Sequence, residues 1–193
     1  MIKEIELYAK ENNIPIMLKD GITYLCNYIK ENNIKDILEI GSAIGYSSIM
    51  MAKVDEEINV LTIEKDSIRY NIAKENINKF NLTSRITILN EDALNSNITK
   101  SFDLIFIDAS KSNNINFFNK YKDNLKDGGV IITDNLSFHG LVEDENKIKT
   151  KNQRGIVRKI KLYLDFLDSN KEFLTTYIPI GDKISISKRI TNE

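Results

Sequence analysis

Asp36-Ile37-Leu38-Glu39-Ile40-Gly41-Ser42-Ala43-Ile44-Gly45-Tyr46-Ser47 is the stretch whose reading decides the fold. A short apolar run (36–40) is closed by a glycine, and a helical stretch over 46–53 follows. Working outward, the same alternation recurs. Strands are expected at 58–64, 85–90, 103–108 and 130–133, the last opened by Gly128-Gly129, and helices at 66–80, 113–125 and 153–169. Continuous apolar runs separated by amphipathic helices mark a parallel sheet covered on both faces. Upstream, 2–12 and 20–32 read as helices and form an N-terminal helical segment, 1–32. At the far end, 173–179 and 183–188 are two strands joined around Gly181-Asp182. So short a connection excludes a parallel crossover, so they pair antiparallel. The expectation is one α/β domain over 1–193, a doubly wound sheet with an antiparallel last strand.

The bulk numbers bound the function. A chain of 193 residues suits one domain with a sizeable core. A net charge of −1 gives no whole-molecule argument for a nucleic-acid partner. The single cysteine, Cys26, sits in an apolar helical stretch and reads as a structural thiol. No run approaches the roughly 18 apolar residues of a membrane span, and 1–6 does not resemble a secretory leader. The expectation is a cytoplasmic protein with no membrane partner.

Chemistry-bearing residues stand at successive strand ends. Gly41 and Gly45, spaced Gly-x-x-x-Gly, let a ligand approach the first strand-to-helix turn, although a plain tight turn has the same look. Glu64 ends the second strand about 20 residues on, where a carboxylate can accept ribose hydroxyls. Asn90-Glu91-Asp92-Ala93 follows the third strand. These ends face one crevice and together favour a nucleoside-bearing cofactor over solvated strand ends. Asp108 ends the fourth strand and Asp134-Asn135 the fifth. Two carboxylates and an amide make an all-oxygen set suited to Mg²⁺; capping of the strand and the next helix is the alternative. Lys111, three residues after Asp108, reads either as a base or as a surface lysine. His139 is the only histidine and takes no role.

Three motifs in this order carry a resemblance: Glu39-x-Gly41-x-x-x-Gly45-Tyr46-Ser47, Ile107-Asp108-Ala109-x-Lys111 and Thr133-Asp134-Asn135. They resemble the metal-dependent O-methyltransferases related to catechol and caffeoyl-CoA O-methyltransferases, over nearly the whole chain. Tyr8 to Met17, Asp134 to Val142 and Ile178 to Asp182 are similar to the bacterial branch that methylates 5-hydroxyuridine of tRNA. The resemblance implies a Rossmann-like class I fold using S-adenosylmethionine (SAM). The cofactor would be held by Met17, Glu39, Gly41, Ser47, Glu64, Glu91, Asp92, Ala93 and Asp108. Mg²⁺ would sit on Asp108, Asp134 and Asn135, with Lys111 and Asp108 as the catalytic groups. Relatives imply a homodimer to which the N-terminal helices contribute.

5-Hydroxyuridine and catechol both present two adjacent oxygens, so a metal site alone does not choose between them. Residues 147–161 hold Lys147, Lys149, Lys151, Arg154, Arg158, Lys159 and Lys161 with no acid among them. Arg154, Arg158 and Lys161 share one helical face by their spacing, and Val157, Ile160, Leu164 and Leu167 make the expected buried stripe. An ordinary solvated face is one reading of that segment; with the resemblance, it is expected to bind tRNA phosphates through Lys149, Lys151, Arg154, Arg158 and Lys161. The expected activity is Mg-dependent conversion of wobble 5-hydroxyuridine to 5-methoxyuridine. The alternatives are methylation of small catechol-like phenols and a non-catalytic SAM- or RNA-binding domain.

Overall fold

Strand β1 (Asp36–Ile40) runs parallel to β2 (Asn59–Ile63) on one side and to β4 (Phe102–Ile107) on the other. With β3 (Ile86–Leu89), β5 (Leu125–Thr133), β6 (Phe173–Ile178) and β7 (Ile184–Arg189), the described residues form a seven-stranded sheet of order β3-β2-β1-β4-β5-β7-β6. The computed structural model describes residues 1–190; positions 191–193 of the expected domain lie outside the described residues. The first five strands are mutually parallel, while β7 pairs antiparallel with both β5 and β6. This is the Rossmann-like class I architecture with an antiparallel ending.

The period-two alternation of β1 sorts its side chains between two layers. Ile37 belongs to the core shared with α1 (Ile2–Glu11), α2 (Lys19–Glu31) and α3 (Tyr46–Ala52). Leu38 and Ile40 belong to the opposite core, shared with α5 (Asn114–Tyr121) and α6 (Lys151–Asp168). All three are fully buried, each worth roughly 1.5–3 kcal/mol of apolar transfer. Both faces are covered, which is why β1, β4 and β5 read as continuous apolar runs.

Two expected boundaries move. The helix expected to reach 125 ends at Tyr121, and a 3-10 turn, Lys122–Asn124, leads into β5. Strand β5 begins at Leu125, before the two glycines. Its register against β4 shifts between Phe102 and Leu104, so a bulge absorbs the intervening residues, with Gly128 at φ 74°. A side chain on Gly129 would meet the Lys126 carbonyl at 2.9 Å. On α6 the inward stripe is Val157, Ile160, Tyr163 and Leu167, with Leu164 only half-buried. Tyr163 bonds Thr133 across 2.8 Å, which draws that ring into the core.

Candidate active site

The carboxyl ends of β1 to β5 open along one edge of the sheet, where ligands bind in such folds. Gly41 has φ 95° and Gly45 φ 82°, the left-handed region that favours glycine. A Cβ on Gly41 would lie 2.8 Å from the Asp108 carbonyl oxygen. The glycine is therefore what lets the end of β1 close against the end of β4. Glu64 fixes the turn from the other side: one carboxylate oxygen accepts from the Ala43 N–H (2.8 Å), the other from Asp66 (2.9 Å).

A cavity of about 610 Å³ lies over this edge, within the usual range for a small-molecule site. The turn residues Gly41, Ser42 and Ala43 lie along it with Tyr46 and Ser47. Glu64, Glu91, Asp92, Ala93 and Arg69 line it beyond β2 and β3, and Pro15 to Leu18 line it from the N-terminal segment. Asp108, Lys111, Asn135, Phe138, His139 and Asp182 line the part beyond β4 and β5. Of the residues implied by the resemblance, the structure brings Met17, Gly41, Ser47, Glu64, Glu91, Asp92, Ala93, Asp108, Lys111 and Asn135 to this one cavity.

Glu39 does not line it. The side chain points to the α3 side of the sheet and is fully buried, with Ser47, Ser48 and Thr62 hydroxyls donating to its carboxylate, the last at 2.6 Å. Burial pushes its pKa up to about 7 against the pull of those hydroxyls. Asp134 also lies behind the cavity wall, 1% exposed, with Oδ1 lacking any hydrogen-bond partner.

Lys111 lies in the turn Lys111–Asn113 and ties the β4 and β5 ends together. Its Nζ donates to Asp108 Oδ1 (3.1 Å) and to the Asp134 carbonyl (3.4 Å). Burial raises the Asp108 carboxyl above its ordinary range, with the Lys111 ammonium pulling the other way. Burial, then the Asp108 charge, raises Asp134. Among the described residues no group of three or more His, Cys, Asp or Glu is arranged to hold a metal; the expected ligand set has two carboxylates and an amide.

Sequence reasoning gave no role to Asp182, which is 5% exposed and close enough to Asp108 and Asp134 to raise both. Its only sequence signal was a place in the hairpin turn. Phe138 and His139, with ring centroids 5.7 Å apart, sit on left-handed backbone at the cavity wall. Cys26 is half-buried, with burial pushing its thiol up to about 11, as expected for a structural thiol.

A family model described as O-methyltransferase matches residues 2–190. Caffeoyl-CoA O-methyltransferase 2 of Petunia hybrida is 29% identical over 98% of this chain and 84% of its own length. A crystal structure of a candidate caffeoyl-CoA O-methyltransferase from Staphylococcus aureus superposes with a TM-score of 0.93 at 34% identity, covering 97% of this chain and 91% of that one. The O-methyltransferase of Bacillus cereus, solved with S-adenosylhomocysteine (SAH), gives 0.82 at 25% identity over 98% and 90%.

The Petunia hybrida and Staphylococcus aureus relatives overturn the expectation of a tRNA partner, since both are named for caffeoyl-CoA. The structure supplies a physical reason why the basic segment misled. Residues 147–161 hold no acid of their own, but acids just upstream fold back on them. Lys161 pairs with Glu145, and Lys147 with Asp144 at 3.4 Å. Lys149, Lys151, Arg154 and Arg158 remain as an ordinary exposed face of α6 and its approach. The relatives' names carry no support for the expected homodimer either. Helix α1, expected to contribute to it, buries Ile5 and Ala9 in its own chain, and Glu6 accepts from Tyr46 at 3.0 Å. Sheet order, glycine turn, shared cavity and relatives agree: the chain belongs to the O-methyltransferase family, as a class I SAM-dependent O-methyltransferase related to the caffeoyl-CoA and catechol enzymes.

Proposed function

We propose that this chain methylates one hydroxyl of a small aromatic acceptor bearing two adjacent oxygens, a catechol or caffeoyl compound, with a divalent cation held by Asp108, Asp134 and Asn135. The observation that carries the reading is the cluster of half-buried Asp108 and Lys111, with buried Asp134 behind them, at one end of the cavity that Glu64 and the glycine turn share. The names of the relatives support the acceptor class.

The residues fit both groups. Ser42 is buried with its hydroxyl unpartnered beside the turn, and Glu64 stands where a ribose would lie. At the other end the donors are hard oxygens. Asp134 Oδ1 lacks a partner, and burial disfavours charge on both carboxylates; a bound cation relieves both conditions. SAM supplies an electrophilic methyl on a sulfonium. A cation at this site supplies Lewis acidity, lowering the pKa of an acceptor hydroxyl.

The protein's own residues do the rest. Glu64 and the 41–43 turn bind and orient the nucleoside end. Asp108 reaches the cavity beside Gly41 and links the two ends. Lys111 Nζ, held by Asp108 and the Asp134 carbonyl, takes the acceptor's proton in its neutral form, once its own proton has been lost. Phe138 and the segment from Pro15 to Leu18 exclude water, so that a nucleophilic oxygen meets the methyl in line at near-attack distance.

The test mixes purified protein, SAM and Mg²⁺ with catechol and, separately, caffeoyl-CoA, and measures methyl ether by mass spectrometry with and without a chelator. Methylation that the chelator abolishes is the expected result. Product that persists in chelator removes the cation from the reading. Silence on both acceptors while SAM still binds removes the acceptor class.

A further inference from the structure

Asp182 sits in the turn between β6 and β7, on a segment with Gly181 and Lys183 both at φ 64°. Its two carboxylate oxygens have different surroundings. Oδ1 accepts from the backbone N–H of His139 at 2.7 Å. Oδ2 is buried and has no partner. Asp134 Oδ1, belonging to a neighbouring carboxylate, is likewise buried and without one. Buried polar atoms in native proteins are nearly always paired, so two orphaned acceptors in one cluster indicate a missing donor or cation.

The backbone around Asp182 reinforces this. Leu136 N–H donates to the Lys183 carbonyl (3.0 Å) and Ser137 N–H to the Asp182 carbonyl (2.9 Å). With the His139 bond, three hydrogen bonds clamp 136–139 onto the hairpin turn. The clamped segment begins immediately after Asn135, itself at φ 63°. Lys111 bonds Asp108 and the Asp134 carbonyl, and Asp182 lies close enough to Asp108 and Asp134 to act on both. The cluster therefore gathers three acids around one amine.

We infer that Asp182 is a positioning residue of the cation site, holding Asn135 in place through the 136–139 clamp and supplying, through Oδ2, an outer carboxylate that strengthens cation binding. This rests on the proposed cation reading. No arrangement of three acids ligates directly among the described residues, so Asp182 acts from outside the ligand set, through a hydrogen bond. Outer partners of this kind tune affinity by roughly 10–100-fold.

The test is a manganese(II) titration of the full chain, followed by the free-ion paramagnetic resonance signal, with SAH affinity and thermal midpoint measured in parallel. Asp182→Asn keeps an oxygen to accept from His139 but loses the charge. Its manganese Kd should rise roughly 10–100-fold, with SAH affinity and the thermal midpoint near those of the unaltered protein. Asp182→Glu should recover part of the lost affinity. Manganese binding by Asp182→Asn equal to that of the unaltered protein overturns the inference and leaves the cation reading standing. A parallel loss of SAH binding and thermal midpoint, or no recovery in Asp182→Glu, reduces Asp182 to a fold residue and also overturns it. If the unaltered protein binds no manganese, the inference and the cation reading fall together.

Discussion

Lys111 joins two strand ends through a side chain only 15% exposed. Replacing it with Met keeps the stem and removes the amine. The expected result is a fall in single-turnover rate of about 10²–10⁴ with cofactor affinity unchanged. A near-normal rate would take the proton-accepting role from it. The placement of Asp108, Lys111, Asp134 and Asn135 at one sheet edge was legible in the sequence because apolar runs announce strand ends, and all parallel strand ends meet at one edge. Asp182 was not, because it follows an edge strand and reaches the same edge only through an antiparallel return. The inward aim of Glu39 was hidden as well. Its motif suggests cofactor contact, but its place on β1 puts it on the face of Ile37, under the Ser47 and Ser48 hydroxyls.

Helix α6 shows the same limits one level up. Its start was expected at 153, yet Thr150 and Gln153 form a reciprocal capping box and the helix begins at Lys151. Such a cap contributes roughly 0.5–2 kcal/mol. Four residues beyond its start, Gly155 is exposed, and a Cβ there would meet nothing within 4 Å. Gly155→Ala should therefore stabilise the protein by about 0.5–1 kcal/mol, read as a higher midpoint in chemical denaturation. A lower midpoint would mean that this face of the helix has a partner requiring the gap. Strand existence was legible from apolar runs. The early start of β5 was not, because Lys126 and Asp127 interrupt its pattern and the glycines mark a bulge within the strand.

Across the whole molecule, the parallel order was legible from the alternation of strands and helices. The insertion of β7 between β5 and β6 was not, since it depends on which edge a hairpin chooses. Burial of acids makes the fold's stability respond to pH. The fold raises Glu39 from 4.5 to about 7, so the folded chain binds this proton more tightly than the unfolded chain does. The Glu39 contribution is greatest below about 4.5 and declines as pH rises through about 7. Midpoints measured between pH 5 and 8 should fall with rising pH, and Glu39→Gln should flatten that slope. An unchanged slope in the variant would assign the dependence to other groups.

The antiparallel seat of β7 also shapes the chain's life before it is an enzyme. Strands β1 to β5 leave the ribosome first, with the hydrogen-bonding edge of β5 uncovered and Ile131 and Ile132 beside it. That edge is an open template for a neighbouring nascent chain. It is sealed only when 184–189 have emerged and folded back, and the same event brings Asp182 beside Asp108 and Asp134. Covering of the β5 edge and completion of the cavity edge that Asp182 lines are therefore one step of synthesis.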